Sequence, residues 1–232
     1  MLVPVIAARD RWLKPSGVMI PSSVTASTAL VHDSYVGDMV GFLRDDPYGL
    51  NLQDLVERTV NEVIYAGTFR HLAAGDRRSE SSPLWTTNAG SISFDQAQAP
   101  HVAEVQLAIR DHGTANALAL WFSADLAPGI SLSIGPGDPP THWGMTTAPL
   151  RSPVELAPGM VVRARVRTAL AQPVGTWTSW AIVARPPPPP RRLVAGDRRR
   201  AQRADPPCSQ DGRSASGAQT SQGAWLPCSG WG

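Results

Sequence analysis

Among the 232 residues, the side chain best suited to move a proton is His142, in the tetrapeptide Pro140-Thr141-His142-Trp143. Imidazole changes charge near neutral pH, so a histidine can act as general acid or base. Pro139 and Pro140 set it in a turn. On these residues alone two readings stand: a proton-handling histidine that needs a carboxylate partner, or a turn histidine with none. His32, His71, His101 and His112 lack metal-ligand spacing with one another or with a cysteine, so they read as scattered surface residues and no metal centre is expected. Gly135-Pro136-Gly137 imitates part of a dinucleotide-binding fingerprint, but prolines follow where a helix would have to start, and the segment reads as a turn. Arg163, Arg165 and Arg167 form a basic stripe that could touch phosphate. A solvated or edge-protecting strand face is the commoner reason for such a stripe.

The scaffold that would hold such a histidine reads mostly as strands. Val105, Leu107 and Ile109 alternate with polar residues, as do Ile130, Leu132 and Ile134, and as do Val162, Ala164 and Val166. Ala117 to Phe122 is apolar throughout, the mark of a buried strand, and Thr176 to Val183, with Trp177 and Trp180, reads as the last one. Many short strands without helices between them predict an antiparallel sandwich or barrel.

Two stretches break this texture. Leu2, Val5, Ile6 and Leu13 make an amphipathic helix over residues 2–13, stopped by Lys14-Pro15-Ser16-Gly17 and followed by Val18-Met19-Ile20 as a short buried strand that Pro21 ends. Asn51 is placed to cap a second helix with the stripe Leu52, Leu55, Val56, Val60, Val63 and Ile64, which Gly67 would end.

Charge and cysteine placement divide the chain. Residues 1–184 hold 13 Lys+Arg against 16 Asp+Glu, whereas residues 185–232 hold 8 Arg against 3 Asp. Cys208 and Cys228 both lie in that basic segment, so the body has no disulfide framework, and a reducing compartment, cytoplasmic or nuclear, is expected. Leu2 to Ala8 is too short to span a bilayer, and no membrane role is predicted. Residues 185–232, rich in Pro, Arg, Ser and Gly, hold too little apolar content to form a core and are expected to be disordered. Their arginines could touch nucleic acid, and Pro187 to Arg191 could engage a polyproline-reading domain.

Ala8-Arg9-Asp10-Arg11-Trp12-Leu13-Lys14-Pro15, Gly17-Val18-Met19-Ile20-Pro21, Tyr48-Gly49-Leu50 and Thr141-His142-Trp143, in this order, resemble the C-terminal half of the protein arginine methyltransferases. The resemblance implies that residues 1–21 are the closing helix and strand of a Rossmann-like domain for S-adenosylmethionine. Residues 22–184 would be an antiparallel β-barrel, interrupted at about residues 44–67 by a helical arm that grips a second subunit. It further implies Thr141, His142 and Trp143 as the substrate-side loop, and Tyr48, Leu52, Leu55, Val56, Val60 and Val63 as the arm. Partners would be proteins carrying arginine, and either another copy or a complete family member.

Missing from the sequence are the family's glycine-rich cofactor loop, the acidic residue that reads the cofactor ribose, and the two glutamates that hold the substrate guanidinium. A guanidinium stays protonated to a pKa above about 12 and is a poor nucleophile while its charge is delocalised, so those carboxylates carry most of the catalysis by positioning and electrostatics. The expectation is therefore a truncated methyltransferase, inactive and without cofactor as this chain alone. Two alternatives are a non-catalytic barrel that modulates a complete enzyme through the arm, and a basic-tailed module binding RNA or acidic partners. The change after Val183 could also be translated sequence foreign to the native protein.

Overall fold

The computed structural model describes residues 2–65, 71–170 and 176–185. Gly67 and the predicted disordered tail from residue 186 onward lie outside them, as do both cysteines. Helix α1 (Leu2–Trp12) opens the chain, followed by β1 (Ser23–Val31), α2 (Ser34–Arg44), α3 (Gln53–Thr59) and β2 (Ile64–Tyr65). Then come β3 (Ser82–Asn88), α4 (Phe94–Gln98), β4 (His101–Ala108), β5 (Gly113–Ala127) and β6 (Ile130–Ser133). Strands β7 (Thr146–Leu156), β8 (Val161–Leu170) and β9 (Thr176–Arg185) complete the order.

All strand pairs are antiparallel. One sheet runs β2-β7-β5-β1-β3 with β6 also on β5, and the other runs β4-β8-β9. The alternation read from the sequence decides which side chains lie between them. Leu107, Val162, Ala164 and Val166 point inward from the smaller sheet and meet Leu30, Leu118 and Leu150 of the larger one in a single core. Burying each larger apolar side chain of that set contributes about 1.5–3 kcal/mol. Trp180 joins them, its indole Nε1 donating to Pro149 O at 2.8 Å so that the ring is buried without an orphaned donor.

Four expectations are corrected. The barrel is two sheets: among the described residues β3 and β4 touch but share no hydrogen-bonded register, because the chain leaves β3 for α4, fixed by a Ser93–Gln96 capping box, before β4 begins. The strand expected over Val18–Ile20 is absent. Val18 and Ile20 are 74% and 69% exposed, and no ladder partner for them exists among the described residues. The arginine stripe lies on β8, the central strand of its sheet, so it guards no edge; Arg163 and Arg165 reach Glu104 across the strand pair at 3.5 and 3.7 Å. Arg185, expected to start the tail, instead pairs with Val161 as the last residue of β9.

Helix α1 forms as expected and buries Ile6 against Ile92 and Ala97, while Arg9 Nη1 donates to the Ala89 and Ile92 carbonyls at 2.9 and 2.8 Å. No helix among the described residues is long and apolar enough to cross a membrane.

Candidate functional site: the Thr141–Trp143 loop and the helical pair

Strand β5 creates the place for the loop. Along one edge it pairs with β7 as far as Leu120↔Thr146 and with β6 from Ser123↔Ser133. Trp121 and Phe122 fall between the two ladders, and the connection from Ile134 to Met145 arches out there. Two glycines let it do so. A Cβ on Gly135 would sit 2.7 Å from Trp121 Nε1, and one on Gly137, at φ +88°, would sit 2.7 Å from Ala74 Cβ. Gly135-Pro136-Gly137 is thus the turn the sequence suggested, closed by Asp138 N donating to Gly135 O at 3.0 Å and Gly135 N donating to Asp138 Oδ2 at 2.8 Å.

Thr141, His142 and Trp143 ride on this arch. Thr141 Oγ1 accepts from Trp143 N at 3.2 Å and donates to Trp143 O at 3.1 Å, folding the tripeptide back on itself. The Trp143 ring meets Phe122 edge-on, centroids 6.1 Å apart at 75°, and Gly144 N donates to Tyr65 Oη at 3.2 Å. Trp143 therefore braces the rim of the sheet. His142 is exposed, its ring 4.0 Å from that of Trp143, and among the described residues it shares no ion pair or side-chain hydrogen bond. We expect Trp143→Ala to lower stability by about 1 kcal/mol, the worth of one aromatic pair. His142→Ala should leave the urea midpoint unchanged, since the ring is exposed.

The segment expected to be the arm, about residues 44–67, holds helix α3, which packs on α2 just before it. Asp33 caps α2 by accepting from Val36 N at 3.2 Å, and Val36 and Val40 pack on Val56 and Val60, with Leu43 and Ile64 against them. Helix α3 covers only Gln53–Thr59, shorter than the stripe from Leu52 to Ile64 suggested. Asn51 Oδ1 accepts from Gln53 N at 3.0 Å in a local turn. The stripe splits: Val56 and Val60 are buried, Leu52 and Ile64 are half-buried, and Leu55 and Val63 are exposed at 48% and 37%. Tyr48 is 91% exposed and sits at φ +60°, a backbone region that costs a bulky residue about 1–3 kcal/mol. Arg151 Nη1 holds Glu57 at 2.6 and 2.7 Å, tying the pair to β7. The chain returns through β2, whose two residues pair with Thr146 and Thr147 beside the loop. The segment that follows α3 and the loop are thus neighbours, a relation their spacing in sequence does not show.

No family model matches the chain. An arginine N(omega)-methyltransferase of Streptomyces achromogenes subsp. streptozoticus is 28% identical over 169 residues, spanning 72% of this chain and 44% of its own length. Human protein arginine N-methyltransferase 2 is 28% identical over 198 residues, covering 80% of this chain and 45% of the human one. Among solved structures, the Trypanosoma brucei PRMT1 enzyme–prozyme heterotetrameric complex with AdoHcy superimposes with a TM-score of 0.71 at 19% identity, over 80% of this chain and 59% of that one. These relatives are all arginine methyltransferases. The chain resembles them in sequence and shares the methyltransferase fold, while spanning less than half the length of the two curated methyltransferases. The Gly135–Gly137 turn does not fit the S-adenosylmethionine that methyltransferase chemistry requires: the space beside its glycines is already filled by Trp121 and Ala74. Among the described residues no group of three His, Cys, Asp or Glu is arranged to hold a metal.

Proposed function

We propose that this chain supplies the substrate-side β-domain of an S-adenosylmethionine-dependent protein arginine methyltransferase and acts in assembly with a subunit that carries the cofactor. The observation that carries this reading is the Thr141-His142-Trp143 loop, presented where β5 changes its edge partner. Thr141 and Trp143 fix the loop, and the exposed His142 imidazole is free to take a carboxylate partner from that subunit and to handle the proton leaving an arginine. On this reading the guanidinium-holding carboxylates and the cofactor come from the partner as well; the filled space beside Gly135 and Gly137 supports it. Helices α2 and α3 serve as the arm, with Tyr48, Leu52, Leu55, Val56, Val60 and Val63 as its apolar content. The trypanosomal relative's enzyme–prozyme assembly gives a precedent for methyltransferase subunits working as unlike pairs.

Calorimetric titration of S-adenosylmethionine into the isolated chain tests the division of labour. We expect heat of dilution only, and no methylation of an arginine peptide. A dissociation constant in the micromolar range, about −8 kcal/mol, would mean that the chain holds a cofactor site of its own.

A further inference from the structure

The core between the two sheets stops short of one end of the molecule. Past Trp85 and Val166 the inward positions carry small side chains, Ala26 on β1, Ala97 on α4 and Thr168 on β8, and a cavity of about 310 Å³ remains there, with Val3 of α1 on one side. Its aromatic wall is the Trp85 indole stacked on the His101 imidazole, centroids 5.3 Å apart and planes at 17°. A second recess of about 410 Å³ adjoins it, sharing Thr87, Ala99 and His101, and its further lining is hydrogen-bonding and neutral: Thr86, Asn88, Ser91 and Gln96. Among the described residues neither lining includes Asp, Glu, Lys or Arg.

We propose that this end of the core is a binding site for a neutral amphiphile with a bicyclic aromatic body and a hydroxyl or amide head. Size sets the body: an apolar cavity of about 150 Å³ accommodates one benzene ring, so about twice that volume takes two fused rings. The Trp85 and His101 rings in the lining favour an aromatic body, which extends their stack, over a branched aliphatic one. Thr87 and His101, at the junction of the two spaces, meet the head. Uncharged linings reject ions, because a charge moved out of water without a partner is strongly disfavoured. None of the loop or arm residues lines either space, so the site is separate from the one above.

Tryptophol, an indole with a neutral hydroxyethyl head, is a suitable probe of the full chain by amide and indole N–H chemical shifts. Saturable shifts are expected at Ala26, Thr87, Ala99 and the Trp85 indole, with indole-3-acetate and tryptamine binding about tenfold more weakly or worse. Ala26→Phe should fill the cavity and abolish saturation while the spectrum stays dispersed. If that variant does not fold, Thr168→Phe on the facing sheet makes the same test. Non-saturable shifts, shifts centred elsewhere, undiminished binding to a folded filled variant, or equal binding of the charged analogues would each overturn the proposal.

Discussion

Asn116→Leu is expected to destabilise the protein by about 1–3 kcal/mol and to loosen α2 from the sheet. Asn116 Oδ1 accepts from Asp33 N and its Nδ2 donates to Asp33 O, each at 2.8 Å, and both residues are buried. Leucine fills a similar volume but strands the Asp33 N–H away from water, at about 1–3 kcal/mol, while the Asp33 carbonyl keeps its bond from Gly37 N at 2.9 Å. That loss is set against the 5–15 kcal/mol typical of a whole domain. Helix α2 also depends on Asn116 sterically, because a Cβ on Gly37 would stand 3.0 Å from Asn116 Nδ2. Urea unfolding measures the stability, and amide exchange across Ser34–Arg44 reports the helix. Ser91→Ala on the exposed surface is the control, expected within about 0.5 kcal/mol of wild type. A loss below about 1 kcal/mol for Asn116→Leu would show that the clamp does not anchor the helix.

This clamp was not legible in the sequence, and the reason is instructive. Gly37 and Gly41 each lower helix propensity by about 1 kcal/mol relative to alanine, which hides α2 behind a weak local signal. Asp33 before the Val36/Val40 pair was the available clue, a cap followed by two apolar residues one turn apart. Strands announced themselves better where one face is buried: Val162, Ala164 and Val166 alternate with arginines and all three lie in the core. Val18-Met19-Ile20 carried the composition of a buried strand, but burial needs a neighbouring strand, and composition does not say whether one is there. The turn at Gly135–Gly137 was readable, since prolines and glycines fix local geometry wherever the chain goes. What no local pattern conveys is adjacency, such as β2 bringing the segment that follows α3 beside the loop, or the unfilled end of the core.

The other large effect concerns the arm. Apolar residues held in solvent on a rigid support mark an interface or an aggregation liability. Here Tyr48, Leu50, Leu55 and Val63 lie outside the small core that Val36, Val40, Val56 and Val60 make, so the two sets can be separated by mutation. Val56→Asp should unfold the helical pair, because it buries a charge with no partner. Leu55→Asp combined with Tyr48→Asp should leave the fold intact and abolish self-association, detected as a loss of concentration dependence in sedimentation. Unchanged association of this double variant would move the interface elsewhere and leave α2 and α3 as an internal part of the β-domain.

The central claim, that the chain works by docking its arm on a cofactor-bearing subunit, is tested most directly by sedimentation velocity of the labelled chain mixed with a complete arginine methyltransferase. The account predicts a faster boundary containing both proteins with wild type and its disappearance with Tyr48→Asp/Leu55→Asp. A labelled chain that sediments at its own rate in every mixture, wild type and variant alike, would contradict it.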